Sequence, residues 1–104
     1  MSVLGYVALY AESRGDIYLF ASSVCTDNMI READYFQVIK LGYSTNLLGE
    51  KIKSALEYSK TVHLTRKEAE ELNAIKKYTK KSRAAFGKDK YFIEICEYKD
   101  KIIF

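Results

Sequence analysis

The chain has 104 residues, 48% of them hydrophobic and 30% charged, with a formal net charge of +3. That is the composition of one ordered domain, long enough to bury about two-thirds of its unfolded surface without a metal or a disulfide framework. Proline is absent, which excludes Pro-rich linkers and PxxP ligands, and no apolar run approaches the roughly 18 residues that span a bilayer.

Val3–Ala11 is apolar enough for a signal-peptide core. No Lys or Arg precedes it, however, and no small-x-small cleavage pattern follows. A first β-strand is the better reading. It places Val3, Val7 and Leu9 on one face and Leu4, Tyr6, Ala8 and Tyr10 on the other. Both faces are apolar, so the strand is expected to be central or covered on both sides. The polar stretch Glu12–Asp16, with Gly15 near its end, joins it to a second strand at Ile17–Ser23 as a hairpin. Residues 24–34 predict an irregular connection holding one turn at most. Tyr35–Leu41 is a third strand, ended by Gly42.

The middle of the chain changes period. Ser44-Thr45-Asn46 offers capping oxygens, and Leu48, Ile52, Ala55, Leu56 and Ser59 then recur on one helical stripe, with Glu50, Lys51, Lys53 and Glu57 facing away. Thr65-Arg66-Lys67-Glu68 is a capping box, because the Thr65 hydroxyl can accept from the Glu68 N–H while the Glu68 carboxylate reaches back to the Thr65 N–H. It predicts a second helix from 65 to about 80 with Leu72, Ile75 and Tyr78 or Thr79 inward. Ser82–Lys90 is a polar connection, Tyr91–Tyr98 a strand, Tyr98–Lys101 a turn and Ile102–Phe104 a last strand. The order β-β-β-α-α-β-β predicts an α+β fold: a mainly antiparallel sheet of about five strands, with two helices packed on one face.

Chemistry-bearing constellations are sparse. His63 is the only histidine and lies between the two helices, with no nucleophile–carboxylate arrangement suggested around it. His63, Cys25 and Cys96 together fall short of the four ligands of a closed Cys/His zinc site. The five glycines are scattered and form no phosphate loop. Cys25 and Cys96 read as free thiols of a cytoplasmic chain, Cys96 as buried filler in a strand. The expectation is a protein that is not an enzyme and carries no cofactor or metal.

Charge is unevenly spread. Residues 1–43 carry a net −2 and residues 44–104 a net +5. The excess concentrates in Lys76, Lys77, Lys80, Lys81, Arg83, Lys88 and Lys90, against Asp89 alone, with Tyr78 and Phe86 interleaved. This is an electrostatic footprint for phosphate with stacking aromatics; a solvated helix end and basic loop is the plainer reading. There are nine tyrosines, and tyrosine is favoured at interfaces for its large rigid area and polar tip.

Phe36-Gln37-Val38-Ile39-Lys40-Leu41-Gly42-Tyr43-Ser44, followed by Leu48-Gly49-Glu50-Lys51-Ile52-Lys53-Ser54-Ala55-Leu56-Glu57-Tyr58-Ser59, resembles a pattern in immunity proteins of bacterial contact-dependent growth inhibition systems. The shared features are a strand, a Gly-Ser turn, and a helix opening Leu-Gly-Glu and continuing to Ala-Leu-Glu. The resemblance covers about 25 residues and carries no catalytic residue. It implies a cytoplasmic antitoxin that binds one cognate toxin domain, 1:1, and occludes it. The absence of a membrane segment suits a toxin acting in the cytoplasm, such as a nuclease. A basic nuclease cleft calls for acidic groups. The candidate interface residues are therefore Asp27, Glu32, Asp34 and Tyr35 in the irregular connection, with Glu94, Glu97, Tyr98 and Asp100 around the last hairpin. The alternative is a small nucleic-acid-binding protein using residues 76–90.

Overall fold

The computed structural model describes residues 3–99 and 101–103. Five strands, β1 (Gly5–Glu12), β2 (Ile17–Val24), β3 (Ile30–Ile39), β4 (Lys90–Glu97) and β5 (Ile102–Ile103), form one antiparallel sheet in the order β3-β2-β1-β4-β5. Four helices, α1 (Thr45–Thr61), α2 (Arg66–Leu72), α3 (Ala74–Thr79) and α4 (Arg83–Gly87), lie between β3 and β4. The α+β class and the five-stranded antiparallel sheet are those expected. Among the described residues, no helix is long and apolar enough to cross a membrane. The candidate Asp100 and the final Phe104 lie outside the described residues.

The helices do not share one face. Val7, Leu9, Leu19, Ala21 and Ile95 pack under Ala55 and Leu56 of α1, while Ala8, Tyr10 and Phe20 pack under Ala74, Ile75 and Phe86 of α3 and α4. The reason is the one that makes β1 central. Successive side chains point to opposite faces, and β1 and β2 are apolar at both sets of positions, so each face needs its own cover. Within the second layer, Tyr10 meets Phe86 edge-on at 5.1 Å between ring centroids, and Phe36 stacks on Tyr78 at 4.9 Å.

Three boundaries differ from those read from the sequence. The predicted second helix breaks at Asn73, whose φ of 42° and ψ of 64° are left-handed. Asparagine tolerates that conformation better than most residues, and the break lets Ala74 and Ile75 turn into the sheet. The polar connection after Ser82 contains α4, capped by the Ser82 hydroxyl accepting from the Ala85 N–H at 3.2 Å and held by burial of Phe86. The connection over 24–34 is a turn only to Met29. Residues 30–34 are strand, joined to β2 through a register shift between Phe20 and Ser22. Phe20 pairs with Phe36 and Ser22 with Glu32, so β3 carries two extra residues there and its even-numbered positions stay on one face.

The first helix behaves as its stripe requires. Ser44 caps it by accepting from the Leu47 N–H at 3.1 Å, and Ala55, Leu56 and Ser59 are buried. Ser59 enters the β1–β2 ladder itself. Its hydroxyl accepts from the Tyr6 N–H at 2.8 Å and donates to the Ser22 carbonyl, bridging two residues that are register partners. Ser59→Ala leaves a buried N–H and a buried carbonyl without partners and is expected to lower stability by about 1–3 kcal/mol. The Thr65 capping box is present in both directions, at 3.1 and 3.0 Å, and Thr65→Ala should cost about 1 kcal/mol. Urea midpoints of the two variants check both: Ser59→Ala should shift the further.

Candidate protein interface

The sheet ends unevenly on one side. β5 pairs only with Cys96 and Glu97, so among the described residues the outer backbone edge of β4 from Lys90 to Ile95 has no strand beside it. An open edge is a ready template for another chain and is ordinarily blunted by charge, proline or cover. Here it is apolar. Tyr91 is 66% exposed, Phe92 49% and Ile93 41%, and Ile102 and Ile103 of β5 are about half exposed. These five residues account for much of the large apolar surface left open to solvent, and they lie together. Glu94 stands exposed among them.

The edge borders a hollow of about 260 Å³ on the α3/α4 face, where those helices leave the sheet uncovered. Tyr6, Ser22, Glu32 and Glu94 line it, with Ile30, Phe92 and Arg83 at its sides. Glu32 is only 8% exposed. Arg83 Nη2 lies within ion-pair distance of both Glu32 oxygens and donates to Oε2 at 2.7 Å, so Oε1 accepts no directed hydrogen bond. Arg83 Nη1 also reaches the Tyr10 hydroxyl at 3.3 Å. Burial pushes the Tyr6 phenol above its ordinary range, and the neighbouring Glu94 carboxylate adds to that. Burial and Glu94 also push the Cys96 thiol up. Cys96 is half-buried rather than fully packed: it lies near the sheet's edge, where its outer neighbour is Ile103 of the two-residue β5.

Of the candidate residues chosen from the sequence, Glu32 and Glu94 come together in this hollow. Asp27 and Asp34 are engaged elsewhere. Asp27 accepts two bonds from Arg31, at 2.8 and 2.9 Å. Asp34 accepts from Lys77 Nζ at 3.0 Å and from the Tyr78 hydroxyl, so it clamps α3 to β3. Tyr35 lies on the opposite, α1 face, 5.0 Å from the Tyr58 ring. Glu97 accepts from Lys60 of α1 at 2.7 Å on that same face. Tyr98 follows it, at the mouth of a groove beside α1.

The basic segment is largely occupied with the fold. Lys77 and Arg83 hold Asp34 and Glu32. Lys90 is buried: its Nζ donates to the Phe86 carbonyl at 2.9 Å and sits 4.3 Å from the Phe86 ring centre. Lys80 Nζ donates to the Lys77 carbonyl at 3.0 Å. Lys76, Lys81 and Lys88 are exposed. His63 is exposed, Cys25 is buried, and no group of three His, Cys, Asp or Glu is placed to hold a metal among the described residues.

Sequence reasoning missed Tyr91, Phe92 and Ile93 as surface. The run Tyr91-Phe92-Ile93-Glu94-Ile95 signals an interior strand, and only the sheet order exposes its edge. Comparison with protein families, with curated proteins and with solved structures finds no match to this chain.

Two outcomes follow from these pairs. Replacing Arg83 by Met leaves a buried carboxylate unpaired and should lower stability by about 2 kcal/mol. Adding Glu32→Gln to that variant should recover part of the loss, and the coupling is read from denaturant midpoints of the four-member cycle. The second outcome concerns acid. The Arg31 guanidinium beside Asp27 pulls its carboxyl down to about 2, and Tyr78 and Lys77 pull Asp34 down as well. A carboxyl lowered in the fold contributes stability above its unfolded value of about 4 and loses it as pH falls through the folded value. Stability should therefore decline between pH 4 and about 2, less steeply in Asp27→Asn, as followed by thermal unfolding across that window.

Proposed function

We propose that the chain is an immunity protein: it binds one cognate toxin domain, 1:1, and neutralises it by occlusion without chemistry of its own. The observation that carries the reading is the open apolar edge of β4 with Glu94 set in it. An unpaired strand edge, a cluster of exposed aromatic and β-branched side chains and a carboxylate are what a protein partner with a basic face would engage. The resemblance of residues 36–59 to immunity proteins supplies the partner class. A cytoplasmic nuclease is the toxin that best fits acidic groups at the contact, which places the protein in the cytoplasm as part of the same proposal. Glu94 replaces the dispersed acidic set as the charged anchor, because Asp27, Asp34 and Glu97 are already paired within the chain.

The nucleic-acid reading has less behind it. Lys77, Arg83 and Lys90 would have to leave Asp34, Glu32 and the Phe86 ring to contact phosphate.

Co-expression with the toxin domain encoded beside the chain is the test. Wild type should protect growth, and Ile93→Lys combined with Glu94→Lys should bind the toxin at least tenfold more weakly with an unchanged thermal midpoint. Equal binding by the double variant removes the β4 edge from the interface. Failure of wild type to protect removes the function.

A further inference from the structure

On the α1 face the cover is incomplete. α1 lies over β3, β2 and β1. Ile95 of β4 is buried beneath it, but Tyr91 and Ile93 of β4 and Ile102 of β5 stay exposed on that side. A sheet of five strands spaced about 4.8 Å apart is wider than one helix about 10 Å across. The result is a groove of about 610 Å³, with α1 as one wall and the β4–β5 hairpin as the other. Leu48, Ile52, Leu56 and Ile102 give it an apolar floor.

We propose that this groove is the berth of a second helix, supplied by a partner protein: an amphipathic helix with an apolar stripe and acidic flanks. The groove follows α1 from Thr45 to Lys60, about 22 Å at 1.5 Å per residue, or some four helical turns. Its α1 wall is built of rows four residues apart, the surface into which another helix packs ridge into groove. One such row is Thr45, Gly49, Lys53, Glu57. Gly49 leaves a notch in it, since a Cβ there would meet nothing within 4 Å. The backbone N–H and C=O groups of α1 are used within the helix, so an extended segment finds no ladder on that wall.

The rim selects the sign of the partner's charge. Lys60 is engaged by both Glu57, at 2.9 Å, and Glu97, at 2.7 Å. Those contacts use both acidic residues that line the groove among the described residues. Lys53, Lys99 and Lys101 also line it, exposed and without an ion pair among the described residues. A helix carrying Glu or Asp beside its apolar stripe meets these lysines, whereas a basic helix is repelled. The inference does not rest on the immunity reading: its groove shares only Ile102 with the exposed edge, lies on the opposite face from the Glu32–Glu94 hollow, and is tested without a toxin.

The experiment titrates the full chain into two fluorescein-labelled 18-residue helical peptides that share a leucine stripe and carry glutamate or lysine on its flanks. Anisotropy should show the glutamate peptide binding at least tenfold more tightly, with amide shifts confined to Leu48–Lys60 and 97–102. Gly49→Leu fills the notch where there is space and replaces a poor helix former. It should weaken the glutamate peptide at least tenfold while leaving the thermal midpoint unchanged or higher. Lys53→Glu with Lys101→Glu should reverse the peptide preference. Equal binding of the two peptides, shifts elsewhere on the surface, or full affinity in Gly49→Leu overturns the proposal. So does displacement of the peptide by dodecanoate with the same shift pattern, which would make the groove a fatty-acid site.

Discussion

β1 is apolar on both faces, and the rest of the molecule is organised around hiding it. A strand of that kind must be flanked by strands and covered above and below. β2 and β4 take its two edges. α1 covers Val7 and Leu9, and α3 with α4 cover Ala8 and Tyr10. The segment between Leu64 and Lys90 therefore has to pass to the far side of the sheet. That passage is what the left-handed Asn73, the short α3 and the one-turn α4 achieve. The same demand places Lys90 under Phe86 and Tyr18, where a cation on an aromatic face closes the end of the layer.

Three ion pairs hold these layers together. Asp34 ties β3 to α3 through Lys77, Glu32 ties β3 to Arg83 at the start of α4, and Glu97 ties β4 to α1 through Lys60. Glu94, Lys99 and Lys101, without an ion pair among the described residues, lie at the β4–β5 hairpin. One side of it borders the Glu32–Glu94 hollow and the other borders the lysine-rimmed groove. The hairpin is thus a thin partition between an acidic and a basic surface, with an apolar edge between them.

The elements were legible where a local period or a cap dictated them. The stripe Leu48, Ile52, Ala55, Leu56, Ser59 and the Thr65 capping box need no tertiary information, and the two-faced β1 announced that it would be central. The break at Asn73 was hidden because Leu72, Ile75 and Tyr78 keep helical spacing across it; the turn is imposed by the sheet they pack on. α4 was hidden because one buried residue, Phe86, holds a turn whose other residues show no apolar stripe. The start of β3 was hidden because Arg31, Glu32 and Asp34 look like loop residues until Asp27, Arg83 and Lys77 pair with them. For the same reason the acidic candidates were poor guides to a free surface: a carboxylate chosen for its charge is also one that a neighbouring cation claims. The exposed edge at Tyr91–Ile93 depends on strand order, which no local pattern encodes.

The register of β1 with β4 has a consequence for how the molecule is assembled. Tyr6 pairs with Cys96, far apart in the sequence, whereas β1, β2 and β3 follow one another through short turns. The meander can close early on local contacts, but the second edge of β1 stays open until the segment after α4 arrives. Non-local closures of this kind slow folding, and an unpaired apolar edge is the exposed hazard of the interval. β4 ends that interval by docking. The vulnerability is then moved outward by one strand: the edge that was β1's during folding becomes β4's in the finished molecule.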